Sequence, residues 1–142
     1  ASDAVRNLNI LAKDSVAYRI AAYGSHRIRN FDSIEPEVFH NINMHFSMPY
    51  YVDYHNAATH DFVLSYRALF NTEPGSFAFQ GYDIGTYFIS ALVKYGPKFI
   101  QKCVDLKMNL MQSNASFIRV EGGGLQNIGT KDIVYGPGYA IN

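Results

Sequence analysis

Phe79-Gln80-Gly81-Tyr82-Asp83-Ile84-Gly85-Thr86-Tyr87-Phe88-Ile89-Ser90-Ala91-Leu92-Val93-Lys94-Tyr95, closed by Gly96-Pro97, decides how the rest of the chain is read. Its apolar residues recur at helical intervals, and a Gly-Pro pair is a strong helix stop. Gly81, Gly85, Phe88, Leu92 and Tyr95 follow one another at steps of four and three, which puts two glycines and then bulky groups on one face. Such a face predicts that another backbone packs closely against the helix's first turns.

Working upstream, Asn56 to Phe70 reads as a second helix with Ala58, Phe62, Tyr66 and Leu69 in a stripe, preceded by the tyrosine-rich Pro49-Tyr50-Tyr51-Val52-Asp53-Tyr54. Ile42-Asn43-Met44-His45-Phe46 alternates apolar and polar residues like a strand. Asp32-Ser33-Ile34-Glu35-Pro36-Glu37 places a proline and acidic residues at a helix start. Tyr18 to Tyr23, ending at Gly24, reads as a buried strand, and residues 3 to 13 as a first helix. Downstream, a helix near residues 97 to 106 gives way to short strands and turns at Phe117-Ile118-Arg119-Val120, Gly122 to Gly124, Asp132 to Tyr135 and Gly136-Pro137-Gly138-Tyr139.

Helices alternating with strands over the first two thirds predict the α/β class with a parallel sheet, and the tail predicts a short antiparallel ribbon at its edge. The 142 residues suffice for a single α/β domain, with neither an internal linker nor a repeat of fixed period. Ala1-Ser2-Asp3 runs straight into a helical pattern, which reads as a processed product or a piece of something longer.

Twelve basic residues balance twelve acidic ones without forming blocks, so nothing electrostatic points to nucleic acid or anionic lipid. No apolar run reaches the length of a membrane-spanning helix. Eleven Tyr and ten Phe, without Trp, suit either an aromatic core with tyrosines at its rim or a cleft for a sugar or amino acid. Cys103, the single cysteine, has no partner for an internal disulfide and reads as a buried, inert thiol.

Three constellations can be weighed for chemistry, and each has a plainer reading. His40 and His45, then His55 and His60, are five residues apart, a poor match to the i,i+4 spacing of two metal ligands on one helix face. Gly122-Gly123-Gly124 lacks a following Gly-Lys-Ser/Thr, so a turn outweighs a phosphate loop. Asp53, Asp61 and Asp83 offer carboxylates without a pattern that pairs them as acid and base, and Asp53 also stands where it could cap a helix. Ser76 after Gly75 is the one serine in a tight glycine context, with no base assigned to it. Asn114-Ala115-Ser116 fits the three-residue glycosylation pattern, which recurs by chance. No catalytic residue, metal ligand or cofactor is assigned.

Ala21-Ala22-Tyr23-Gly24, Met48-Pro49-Tyr50-Tyr51-Val52-Asp53, Phe62-x3-Tyr66-x3-Phe70-x3-Pro74 and Ala78-Phe79-Gln80-Gly81-Tyr82-Asp83 together resemble, in order and interval, the later part of type I periplasmic binding proteins. Gly123-Gly124-Leu125-Gln126-Asn127 and Ile133-Val134-Tyr135 resemble that family's closing strands, extending the likeness over about residues 8 to 140. More narrowly, the chain is similar to solute-binding-like domains that some Bacteroidetes-type envelope proteins carry after peptidoglycan-binding LysM repeats. The resemblance implies a parallel-sheet sandwich, present here only in part, because a complete two-lobed protein needs about 300 residues at ordinary domain sizes. It implies non-covalent capture of a small, amino-acid-like solute with no chemical step, in the periplasm or cell envelope, alongside a transporter.

Loops at strand ends would then line the cleft, which singles out Ser25, Tyr50 and Tyr51, with Phe79 and Tyr82 near a helix start. Packing is the plainer reading of each. A homodimer is a further expectation, its partner supplying strand edges that would otherwise stay open. The competing functional reading is an interaction domain whose exposed tyrosines hold a protein or the peptidoglycan of the cell wall.

Overall fold

A computed structural model of the chain describes residues 2–14, 18–136, 138 and 141. Within them the chain is mixed α/β with small sheets, and it separates into two compact units. One comprises the residues up to Met48 and from Asp132 onward; the other is Pro49–Lys131. Of the expected Gly136-Pro137-Gly138-Tyr139 turn, Pro137 and Tyr139 lie outside the described residues.

The first unit contains α1 (Ser2–Ala12), β1 (Ala22–Ser25), α2 (Pro36–Asn41), β2 (Met44–Met48) and all but the first residue of β7 (Lys131–Tyr135). Strands β1 and β2 are parallel, with Ala22 opposite Met44 and Ser25 opposite Ser47, and the sheet order is β1-β2-β7. Pro36 starts α2 because its fixed φ suits the first helical position, where its missing N–H loses nothing. Asn43 turns the chain into β2 with φ 46°, a left-handed conformation that asparagine tolerates.

Its core is built on three rings. Phe39, Phe46 and Tyr135 meet edge to face with centroids 5.5 to 5.7 Å apart, and Ile42 and Met44 are buried beside them. The Arg29 guanidinium covers the Tyr135 ring at 5.7 Å. Arg6 donates to the carbonyl of Ser33 and Asn41 to the side chain of Asn9, tying α1 to the segment around α2.

Two strand boundaries move relative to the sequence reading. The expected strand over Tyr18–Tyr23 begins only at Ala22 and runs through Gly24, with Tyr23 exposed and stacked on His45. The next expected strand starts at Met44, because Ile42 belongs to the end of α2. Gly24 marks why β1 passes where it does: a Cβ there would collide with Met44 Cε and press on Ile28.

In the second unit, α3 (Ala57–Phe70) starts at Asn56, whose side chain accepts from the Ala58 N–H at 2.9 Å, and ends at Asn71 in the left-handed conformation. Helix α4 (Ser76–Tyr95) ends at Gly96 with φ 65°. A short α5 (Phe99–Lys102) follows between two 3-10 turns. The ribbons β3–β4 (Met108–Asn109 with Asn114–Ala115) and β5–β6 (Phe117–Arg119 with Leu125–Asn127) are antiparallel. Each is its own two-stranded sheet, and of the tail's expected strands only β7 takes an edge of the sheet that contains β1 and β2. Gly122 and Gly123, both at positive φ, make the turn of β5–β6.

The expected close packing against Gly81 and Gly85 is overturned. The buried stripe of α4 is Phe79, Asp83, Tyr87 and Ala91, and a Cβ added to either glycine meets no atom within 4 Å. On α3 the buried positions are Thr59 and Val63, while Leu69 is exposed. Phe62 of α3 instead meets Phe79 at 5.0 Å and Tyr82 at 4.8 Å, which joins α3 to α4 through rings.

Tyr87, Cys103 and Ala115 centre the second core, with Phe99, Leu106, Met108 and Phe117 packed around them. The Tyr87 hydroxyl donates to the carbonyls of Cys103 at 2.9 Å and Leu106 at 3.2 Å, fastening the turn after α5 to the middle of α4. Cys103 is buried, and its Sγ lies 3.4 Å from the Phe99 carbonyl.

Burial, with the Cys103 hydrogen bond, pushes the Tyr87 phenol above its ordinary value of 10.0. A phenol that holds its proton more tightly when folded gives stability that is complete below pH 10.0 and declines as the pH climbs toward the native value. Urea unfolding at stepped alkaline pH is expected to show that decline above pH 10 and to lose much of it in Tyr87→Phe; equal slopes for both proteins would contradict it.

Candidate functional site

The second unit holds a cleft of about 490 Å³ between the start of α3, the middle of α4 and the segment Met108–Met111. Asp53, Asn56, Tyr82, Asp83, Thr86 and Lys131 are among its polar lining residues, with Thr59 and Asn109. Tyr82 projects from α4, is 48% exposed, and is backed by the Phe62 ring.

Beneath the cleft, Asp83 is 2% exposed and accepts four hydrogen bonds from one turn. The Met111 N–H donates to Oδ1 at 2.9 Å, and Oδ2 takes the N–H of Gln112 at 2.9 Å, the N–H of Ser113 at 2.8 Å and the Ser113 hydroxyl at 2.9 Å. Three successive backbone donors form a small anion cradle, here filled by the chain's own carboxylate. This is how an acidic residue reaches the buried face of α4: its hydration is replaced donor for donor.

Lys131 holds the same turn by its acceptors. Its Nζ donates to the carbonyls of Leu110 at 2.9 Å and Met111 at 2.7 Å, and an ammonium with three N–H groups keeps one more to give. Burial lowers the Lys131 pKa below 10.5, and the charges of Asp83 and Asp53 oppose that shift. Asp53 Oδ1 accepts from the His55 N–H at 2.9 Å, so Asp53 forms the turn before α3 while Asn56 is the cap itself. The cleft thus offers a cation, a carboxylate and a half-exposed phenol along one lining. It has the means to orient a small molecule that carries both an acceptor and a donor.

The residues singled out from sequence are dispersed. Tyr82 lines this cleft. Tyr50, 59% exposed, lines a second hollow of about 660 Å³ with Pro49, Phe77, Gln80 and Phe88. Tyr51 donates its N–H to the Gln112 carbonyl at 2.7 Å and borders neither. Phe79 is 1% exposed and spends its ring on Phe62 and Tyr54. Ser25 belongs to the other unit, where its hydroxyl accepts from the Arg27 N–H at 3.4 Å.

Lys131 escaped notice because nothing in Thr130-Lys131-Asp132 distinguishes it from a surface lysine. Among the described residues no three potential ligands gather in a metal-binding group. His40 Nδ1 lies 2.8 Å from the Gly136 carbonyl, His45 stacks on Tyr23, and His60 stands 3.9 Å from Asp61 at the surface. No helix among the described residues is long and apolar enough to cross a membrane.

Replacing Asp83 by Asn keeps the volume but points amide hydrogens at backbone donors. Asp83→Asn is expected to destabilise the chain by roughly 3 kcal/mol and lower the melting temperature by about 10 °C. Calorimetry reads this directly, and a melting temperature unchanged within about 2 °C would refute the cradle's importance. Compared with protein-family models, curated proteins and solved structures, the chain matches none.

Proposed function

We propose that the chain is a non-enzymatic small-solute-binding domain of a cell-envelope binding protein, built as part of a type I periplasmic-binding-protein sandwich. The observation that carries the reading is the cleft lined together by Lys131, Asp53 and Tyr82. An amino-acid-like solute would place its carboxylate at the remaining Lys131 N–H, its ammonium at Asp53, and its side chain against the Tyr82 ring.

Chain topology supports the same reading. A parallel β1-α2-β2 element leads out of one compact unit at Met48, and the chain returns to that unit at Asp132, as expected of a protein that visits two lobes in turn. The cleft's ionic groups also support binding rather than catalysis. Asp83 has both oxygens committed to the 111–113 turn, and Lys131 is held as a donor by two carbonyls, which disfavours a free-base role. In this reading the partners are the solute and a transporter.

Exposed tyrosines favour a second reading, an interaction domain for a protein or the cell wall without retained solute binding. Tyr23, Tyr50 and Tyr54 are each more than half exposed.

A thermal-shift screen of amino acids, sugars and nucleosides separates the two. A ligand at about one hundred times its Kd should stabilise the folded chain by roughly 2.7 kcal/mol, and Lys131→Met should weaken the Kd at least about tenfold. A flat response over the whole panel overturns solute capture and leaves the interaction reading.

A further inference from the structure

Helix α4 is apolar on both sides, and only one side is buried. Its inward stripe is Phe79, Asp83, Tyr87 and Ala91. At 100° per residue, the half-turn facing away from that stripe contains no charged residue; Asp83 and Lys94, the only charges of the helix, lie off it. Phe77 and Val93 on this outer half are more than 80% exposed, and Ile84, Ile89 and Leu92 are about half exposed or more. With Tyr82 and Phe88 on the same half, 48% and 40% exposed, they present roughly 800 Å² of accessible surface, comparable to one partner's share of a standard protein interface.

The two glycines sharpen the point. A glycine inside a helix costs about 1 kcal/mol relative to alanine. Apart from adjacent residues and the helix's own backbone, nothing lies within 4 Å of the position a Cβ would take at Gly81 or Gly85, so the packing of a single copy gives no reason for either. They floor a shallow hollow along the helix, beside Tyr82 and Ile89.

We propose that this face binds the same face of a second copy, with the two α4 helices antiparallel about a two-fold axis at the level of Thr86 and Tyr87. In that register the two glycines of one helix meet large residues of the other: Gly81 faces Leu92, and Gly85 faces Phe88. On the flanks Ile84 comes beside its own copy, and Ile89 beside its own copy. The face is therefore self-complementary, as a two-fold interface must be. Opposed helix directions also set the macrodipoles favourably. The glycines that no contact within one copy explains become the places where the second helix comes close. This interface is independent of solute binding.

Sedimentation equilibrium from about 1 to 100 μM should show a monomer–dimer equilibrium. Gly81→Gln with Gly85→Gln should keep or raise the melting temperature of the dilute protein, because helix propensity improves, while raising the dimer Kd at least about tenfold. A parent chain that is monomeric throughout, or a double variant that associates as tightly as the parent, overturns the proposal. Register is read by cross-linking. Under mild oxidation Gly81→Cys with Leu92→Cys should give covalent dimers far faster than Leu92→Cys alone, since Cys103 is buried. Equal rates would rule out the antiparallel pairing.

Discussion

The Asp83 carboxylate is the constraint on which the second unit depends. A buried charge is tolerable only when its hydration is replaced, and here the N–H groups of Met111, Gln112 and Ser113, with the Ser113 hydroxyl, replace it. The cost of leaving that carboxylate unpaired fixes the rotation of α4 about its own axis. Phe79 and Tyr87, one turn to either side, are then carried inward together. Tyr87 in turn fastens the end of the 3-10 segment after α5. Lys131 takes the carbonyls of the same turn, so residues 110–113 are gripped by opposite charges from two distant points of the chain.

The first unit rests on a different kind of bond. Its three rings packed edge to face, Phe39, Phe46 and Tyr135, come from a helix, a central strand and the returning strand. Edge-to-face packing fixes orientation where aliphatic contact would leave rotation free. It brings β7, more than eighty residues later in sequence, into register with the early β-α-β element. The Arg29 cation over Tyr135 closes the end of that cluster.

Local signals carried well from sequence to structure. α3 begins after Asn56, Pro36 starts α2, Gly96 ends α4, and the glycine run turns the β5–β6 ribbon, because each depends on backbone preferences within a few residues, although the cap of α3 is Asn56 and not Asp53. The mixed α/β character follows from the same signals. The buried face of α4 did not carry over, since a stripe led by glycines looks like a packing surface until the donors for Asp83 are known, and those lie about thirty positions away. The cleft was legible only through Tyr82. Lys131 acquires its place from two carbonyls that no spacing rule points to, and Phe79 is absorbed by ring packing that sequence cannot distinguish from display.

Asn127 closes the β5–β6 ribbon by accepting from the N–H groups of Ser116 and Gly129 and donating to the Asn114 carbonyl. Asn114 donates its own amide to the Thr130 carbonyl, and its Oδ1 is buried without a hydrogen-bond partner among the described residues. The nitrogen of the Asn114-Ala115-Ser116 sequon that would accept a glycan is thereby already a structural donor. A sugar there would stand where the chain passes Thr130, so glycan transfer and folding compete for one amide. In a secretory host, the order of these two events would decide whether this ribbon closes at all.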